Sequence, residues 1–156
     1  MPKSVLLSVQ PKWCELIASG KKTVEVRKTR PKIDTPFKCY IYQTRKTWVY
    51  NIYSRIADWQ GKVIGEFVCD AIISHCEMSN ADIAEQKGCI KREKIFEYSN
   101  GKELYGWHIS DLVIYDKPKE LSEFRSYNVG VYWEDGFPMP THEIKRPPQS
   151  WCYVEG

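Results

Sequence analysis

Between Gly20 and Lys32 the chain reads GKKTVEVRKTRPK, with six cations (Lys21, Lys22, Arg27, Lys28, Arg30 and Lys32) against one acid, Glu25. Alternation within TVEVRK sets Val24 and Val26 on one side of an extended segment and Thr23, Glu25 and Arg27 on the other. Glu25 and Arg27 are then about 6.6 Å apart by strand rise, close enough to touch one ligand together. The chemistry on offer is recognition of an anion or of a base edge. Arg27 brings a planar fork suited to either, and Lys22 a point charge. Glu25 can accept from an exocyclic amine or act as a general base. The structural alternative is that Glu25 neutralises Arg27 or a neighbouring lysine in a crowded basic strand.

A second group follows. Trp48, Tyr50, Tyr53 and Trp59 interleave with Arg45, Lys46 and Arg55. Aromatic faces stack bases, at about 1–3 kcal/mol each, and cations track phosphates, so residues 45–61 read as a single-stranded RNA surface. The competing assignment is that these aromatics cap the core. His108 has the titration range for acid–base work, although a lone strand histidine is more often structural. Six cysteines, at 14, 39, 69, 76, 89 and 152, contain no C-x-x-C. His75-Cys76 near Cys69 and Cys89 makes zinc conceivable, but the spacing is irregular, and reduced buried cysteine is the better account. No metal and no cofactor is expected.

These side chains need a frame. Residues 4–8 read as a strand, and PKWCELIASG as a short helix started by Pro11 and stopped by Gly20. Its apolar stripe is Trp13, Leu16 and Ile17. TVEVRK is a half-buried strand and TRPKIDTP a loop. FKCYIYQT is a further strand, with Phe37, Cys39 and Ile41 opposite Lys38, Tyr40 and Tyr42. KVIGEFVCDAIIS is the strongest strand signal, with Gly65 marking a bulge or bend. SNADIAEQKG and IKREKIFEYSNG read as helices closed by Gly88 and by Asn100-Gly101. GWHISDLVIYD is a strand with Trp107, Ile109 and Asp111 on one face, and Pro118 begins a turn or short helix. Gly130–Pro148 is assigned to loop. SWCYVE closes the chain as a short strand whose Trp151 and Tyr153 pack, with Ser150 a lesser candidate for lining a cleft.

The 156 residues fit a single domain spanning 1–156. With 42% apolar residues the chain can bury a core, and with no low-complexity run it does not resemble a disordered one. The net charge of +3 is mild. Its distribution says more, because cations cluster from Lys21 to Lys46 while acids such as Glu120, Glu123, Glu134 and Asp135 dominate elsewhere. MPKSVLLSVQPKW is too short an apolar run for a signal peptide, and no segment reaches a membrane span, so the expected location is cytoplasmic. Strands with short helices in the connections indicate an α+β domain on a small curled sheet or barrel.

Gly20-Lys21-Lys22-Thr23-Val24-Glu25-Val26-Arg27 fits G-x-K-x-x-E-x-R and resembles the hallmark of the ASCH domain family. GKVIGEF and GWHISDLVIYDKPKELSEF resemble that family's later strands, and PPQSWCYVE the closing strand of some bacterial and phage members. The resemblance covers roughly residues 1–75 and 104–155, with a helical insertion near 79–101 between them. It implies a PUA-like small β-barrel of about five or six strands, a cleft beside the motif, and a partner that is RNA or a nucleotide. Lys22, Glu25 and Arg27 carry over as the motif's functional positions. The expected nucleic-acid-binding set is Lys21, Lys22, Glu25, Arg27, Lys28, Arg30, Arg45, Lys46, Trp48 and Tyr50. Some small members are amidohydrolases, which implies the alternative of a hydrolase acting on RNA or a modified nucleoside, with Lys22 and Glu25 as candidates. Those enzymes carry a threonine where this chain has Glu25. A carboxylate does not replace a hydroxyl nucleophile in amide cleavage, and Thr23, on the same face, is two residues out of place.

Overall fold

The computed structural model describes residues 3–46, 51–74, 81–126, 134 and 141–156. Strands β1 (Lys3–Val9), β2 (Val24–Arg27), β3 (Phe37–Gln43), β4 (Lys62–Ile73), β5 (Tyr105–Lys119), β6 (Arg125–Ser126), β7 (His142–Glu143) and β8 (Trp151–Glu155) form one sheet. Helices α1 (Pro11–Ala18), α2 (Ala81–Gln86) and α3 (Arg92–Ser99) lie in the connections, with a 3-10 turn at Leu121–Glu123. The strand order is β2-β5-β4-β3-β1-β8-β6-β7. All pairings are antiparallel except β1 with β3.

The expected barrel of five or six strands is therefore corrected to a mixed sheet of eight, not closed by any ladder among the described residues. What closes is only partial. From β2 to β8 the sheet runs through six strands, and side chains then reach across its open seam. Trp107 Nε1 donates to Thr29 O, and Trp151 Nε1 to Thr29 Oγ1 at 2.9 Å. Lys32 N–H donates to Tyr153 Oη at 2.7 Å. The curl itself comes from bulges: pairing of β4 with β5 slips between Val63 and Gly65, between Glu66 and Val68, and between Cys69 and Ile72. Gly65 is required at the first of these, since a Cβ there would stand 2.4 Å from Val113 O.

Alternation along the central strands feeds two cores rather than a core and solvent. Val5, Leu7, Val9, Phe37, Cys39 and Ile41 pack with Cys14 and Ile17 of α1 around Trp107. Leu6, Tyr40 and Tyr42 pack on the opposite face with Phe124, Ile144 and Val154. Tyr40 and Tyr42 thus lie opposite Phe37, Cys39 and Ile41, as the alternation sets them, and are buried as well. In α1 the buried stripe is Pro11, Cys14 and Ile17. Trp13 and Leu16 sit only partly covered at its margin, which corrects the expected stripe by one position.

Two further expectations change. β5 does not stop before Pro118 but runs to Lys119. Past Ile109 no strand but β4 pairs with it among the described residues, so the missing proline N–H interrupts no second ladder. Asp111 leaves the face of Trp107 and Ile109, because it takes a positive φ of 49° and is exposed. Residues 81–99 hold two helices, α2 and α3, and Asn100 ends the second in the left-handed conformation. Ala84, Ile95 and Leu104 cover Val24 and Val26 of β2. No helix among the described residues is long and apolar enough to cross a membrane.

Candidate functional site

β2 is pinned on both flanks. β5 supplies the ladder, with Glu25 opposite Trp107 and Arg27 opposite Tyr105. On the other side the Lys87–Gly88 turn after α2 takes its amides: Thr23 N–H and Val24 N–H both donate to Lys87 O, at 2.9 and 3.1 Å. With Val24 and Val26 sealed under α2 and α3, Glu25 and Arg27 face the side of α1 and β1, where a cleft of about 430 Å³ opens. That volume falls in the range of small-ligand sites.

Glu25 and Arg27 both line the cleft. Glu25 is 5% exposed. Its Oε1 accepts from Val26 N–H at 3.2 Å and lies 3.7 Å from Arg27 Nε and 4.0 Å from Lys22 Nζ. Its Oε2 has no hydrogen-bond partner among the described residues. Arg27 spends its fork on the protein: Nη2 donates to Ser8 O at 2.7 Å and Nη1 to Ser150 Oγ at 3.1 Å. It joins β2 to β1 and to the lead-in of β8 across the seam, so the phosphate fork expected from sequence is turned inward.

Lys22 is a second reassignment. At 1% exposure it is among the most buried side chains, and it is absent from the cleft lining. Its Nζ donates to Gly88 O and stands 4.8 Å from the centre of the Trp13 ring. Burial pushes its pKa down from the ordinary 10.5, and the adjacent Glu25 carboxylate only partly opposes this. Lys22 thus ties the turn after α2 to the start of β2.

The remaining cations separate into three places. Arg45 and Lys46 line the cleft and are exposed. Lys28 and Arg30 border a neighbouring groove with Lys32 and Tyr105. Lys28 also links the two, since its Nζ lies 4.8 Å from the centre of the Tyr98 ring, and Tyr98 lines the cleft. Lys21 is exposed but lines neither. None of Lys28, Arg30, Lys32, Arg45 and Lys46 makes an ion pair among the described residues.

Trp48 and Tyr50 lie outside the described residues, as do His75 and Cys76. Of their companions, Trp59 packs against the main core with Arg55 over its ring, whereas Tyr53 is 91% exposed. His108 stands opposite Val24 in the β2–β5 ladder, pairs its Nδ1 with Asp70 Oδ1 at 2.7 Å, and does not line the cleft. Cys69 belongs to the core, and burial pushes its thiol up to about 12.

The cleft also contains residues that the sequence did not mark. Trp13, Tyr98, Thr44 and Gln10 are part of its wall. Thr44 Oγ1, like Glu25 Oε2, is buried and without a partner among the described residues. Burial raises the Tyr98 hydroxyl above its ordinary value, so it remains a neutral donor. The site therefore combines two aromatic side chains, a buried carboxylate oxygen and a buried hydroxyl that both lack partners among the described residues, and exposed cations.

The model of the ASCH domain family matches residues 7–126. No curated protein matches the sequence. Among solved structures, ASCH from Zymomonas mobilis aligns with a TM-score of 0.60 at 18% identity, covering 97% of this chain and 87% of that one. A serine-to-alanine mutant of that protein aligns with a TM-score of 0.57 at 18% identity, over 97% of this chain and 88% of its own. A tyrosine-to-phenylalanine mutant gives the same TM-score and identity, over 97% and 90%. At that identity the likeness concerns the fold.

Proposed function

The chain belongs to the ASCH domain family, and from that premise we propose that it binds RNA or a nucleotide in the cleft beside β2. ASCH domains are associated with RNA binding in general. The observation that carries the reading to this chain is the cleft composition: Trp13 and Tyr98 can stack a base, Glu25 and Thr44 can meet its edge, and Arg45 and Lys46 can meet phosphate. The unpaired cations of the adjacent groove, Lys28, Arg30 and Lys32, extend the positive surface beyond one nucleotide and favour a strand. A cytoplasmic setting fits, since the described cysteines are all free.

The test is a titration of fluorescent short single-stranded RNA into folded protein at low salt. Binding should weaken as salt rises, and Trp13→Ala should cost roughly 1–3 kcal/mol if a base stacks there. A folded protein that binds no RNA and no nucleotide at low salt ends this reading.

One observation favours hydrolysis of RNA or a modified nucleoside as a second reading. The lowered pKa of Lys22 brings its amine nearer the neutral form that a general base needs. Its position counts against this, because Lys22 is covered and Glu25 stands where the amidohydrolases carry threonine. Incubation with labelled RNA and with acylcytidine decides: turnover that Lys22→Ala abolishes establishes an enzyme.

A further inference from the structure

Glu25 combines two properties that rarely coexist in a folded protein. It is nearly covered, and one of its oxygens is unpaired. Buried carboxylate oxygens are normally matched by donors, and an unmatched one needs a reason. The cations that could satisfy it are committed elsewhere: the Nη atoms of Arg27 go to Ser8 O and Ser150 Oγ, and Lys22 Nζ goes to Gly88 O. Both cations approach the other oxygen, Oε1, which also takes Val26 N–H. A second buried acceptor on the same cleft, Thr44 Oγ1, is likewise unpaired, and a hydroxyl can both donate and accept. The wall thus provides an acceptor and a two-way group, with Trp13 and Tyr98 on the same cleft.

Resting on the reading that a nucleotide unit occupies this cleft, we infer that Glu25 selects the base by its edge: the preferred base carries an exocyclic amino group, as cytosine, adenine and guanine do, and uracil is discriminated against. An exocyclic amine donates to a carboxylate oxygen. Uracil presents carbonyl oxygens on both sides of its single ring N–H, so at least one faces the carboxylate as acceptor against acceptor. Thr44 can complete the match by donating to a ring nitrogen or accepting a second amine hydrogen. A good base-edge pair discriminates by roughly ten- to a hundredfold.

The experiment titrates the full chain at low salt with the 5′-monophosphates of cytidine, adenosine, guanosine and uridine, and with hexanucleotides of C, A and U. The expected result is at least one amino-bearing base binding about tenfold or more tightly than its uridine counterpart. Glu25→Gln keeps the shape and substitutes an amide that can donate or accept, so it should bring that ratio to within about threefold. Uridine ligands binding as tightly as the best amino-bearing ones overturn the inference and leave nucleotide binding standing. An unchanged ratio in folded Glu25→Gln also overturns it. Failure of every ligand to bind overturns the nucleotide reading itself. Should Glu25→Gln not fold, the wild-type ratio decides.

Discussion

Arg27→Met is the substitution that best separates a structural clamp from a ligand contact. Methionine keeps most of the aliphatic stem and removes the guanidinium of a side chain that is 13% exposed. Two hydrogen bonds from a charged donor are lost, to Ser8 O at 2.7 Å and to Ser150 Oγ at 3.1 Å. Each bond of that class is worth about 1.5–3 kcal/mol. Glu25 also loses the cation 3.7 Å from its Oε1, and breaking a buried pair typically costs about 3–5 kcal/mol. Lys22 remains 4.0 Å away and softens that second loss, so the expected total is at least that of the two hydrogen bonds at their lower end, about 3 kcal/mol. Urea denaturation reads it as a midpoint lowered by roughly 1–2 M for a domain of this size. Arg27→Lys should restore little, since one ammonium cannot span Ser8 and Ser150 as the fork does. Combining Arg27→Met with Glu25→Gln should cost less than the sum of the two, by roughly 0.5–3 kcal/mol. A loss below about 1 kcal/mol for Arg27→Met, or additivity in the double variant, would refute the clamp.

Gly65→Ala drives a Cβ to 2.4 Å from Val113 O. Backbone cannot yield as a side-chain tip does, so a loss of about 1–3 kcal/mol in thermal or urea unfolding is expected. Arg45→Ala and Lys46→Ala should each flatten the salt dependence of RNA binding by roughly 0.7 in log K against log salt if each meets one phosphate. Lys21→Ala, away from both grooves, should leave that slope unchanged in the same titration. Lys22 titrates below 10.5 in the folded state, so between its lowered value and 10.5 the unfolded chain holds more protons, and this residue's contribution to stability rises with pH. Its burial penalty is greatest below that window. The stability of Lys22→Met, measured by denaturant titration at several alkaline pH values, should rise less across the window than that of the wild type.

Periodicity made most elements legible. α1, β2, β3, β4, α3 and β8 stand close to where alternation, Pro11, Gly20 and Asn100 place them. The length of β5 was not legible, because a proline reads as punctuation unless one knows which strand edge is free. Strand number also escaped, since β6 and β7 have two residues each and no pattern to detect. At the site, Glu25 and Arg27 were correctly set on one face, but their partners were not visible. Ser150 lies 123 residues from Arg27 in sequence. A lysine is expected at the surface by default, and nothing local signals that Gly88 would cover Lys22. Tyr98 sits on a helix whose weak apolar pattern hides that it meets the motif strand's cleft, and Trp13 looked like an ordinary stripe residue.

The seam between β2 and the β1–β8 pair has a thermodynamic consequence. β2 is laddered to one strand only; the Lys87 carbonyl holds its first amides, and its hold on β1 and the lead-in of β8 rests on the Arg27 side chain. Such an element opens at a lower free energy than the central strands β1, β3 and β4. The cleft takes its wall from both lips of that seam, Val26 and Arg27 on one and Ser8 and Gln149 on the other. A molecule seated there becomes the cross-link that the backbone lacks. Occupancy and local order are then a single equilibrium: at a hundred times its Kd a ligand adds about 2.7 kcal/mol. Amide exchange should report it first along β2, slowing there before the centre of the sheet changes.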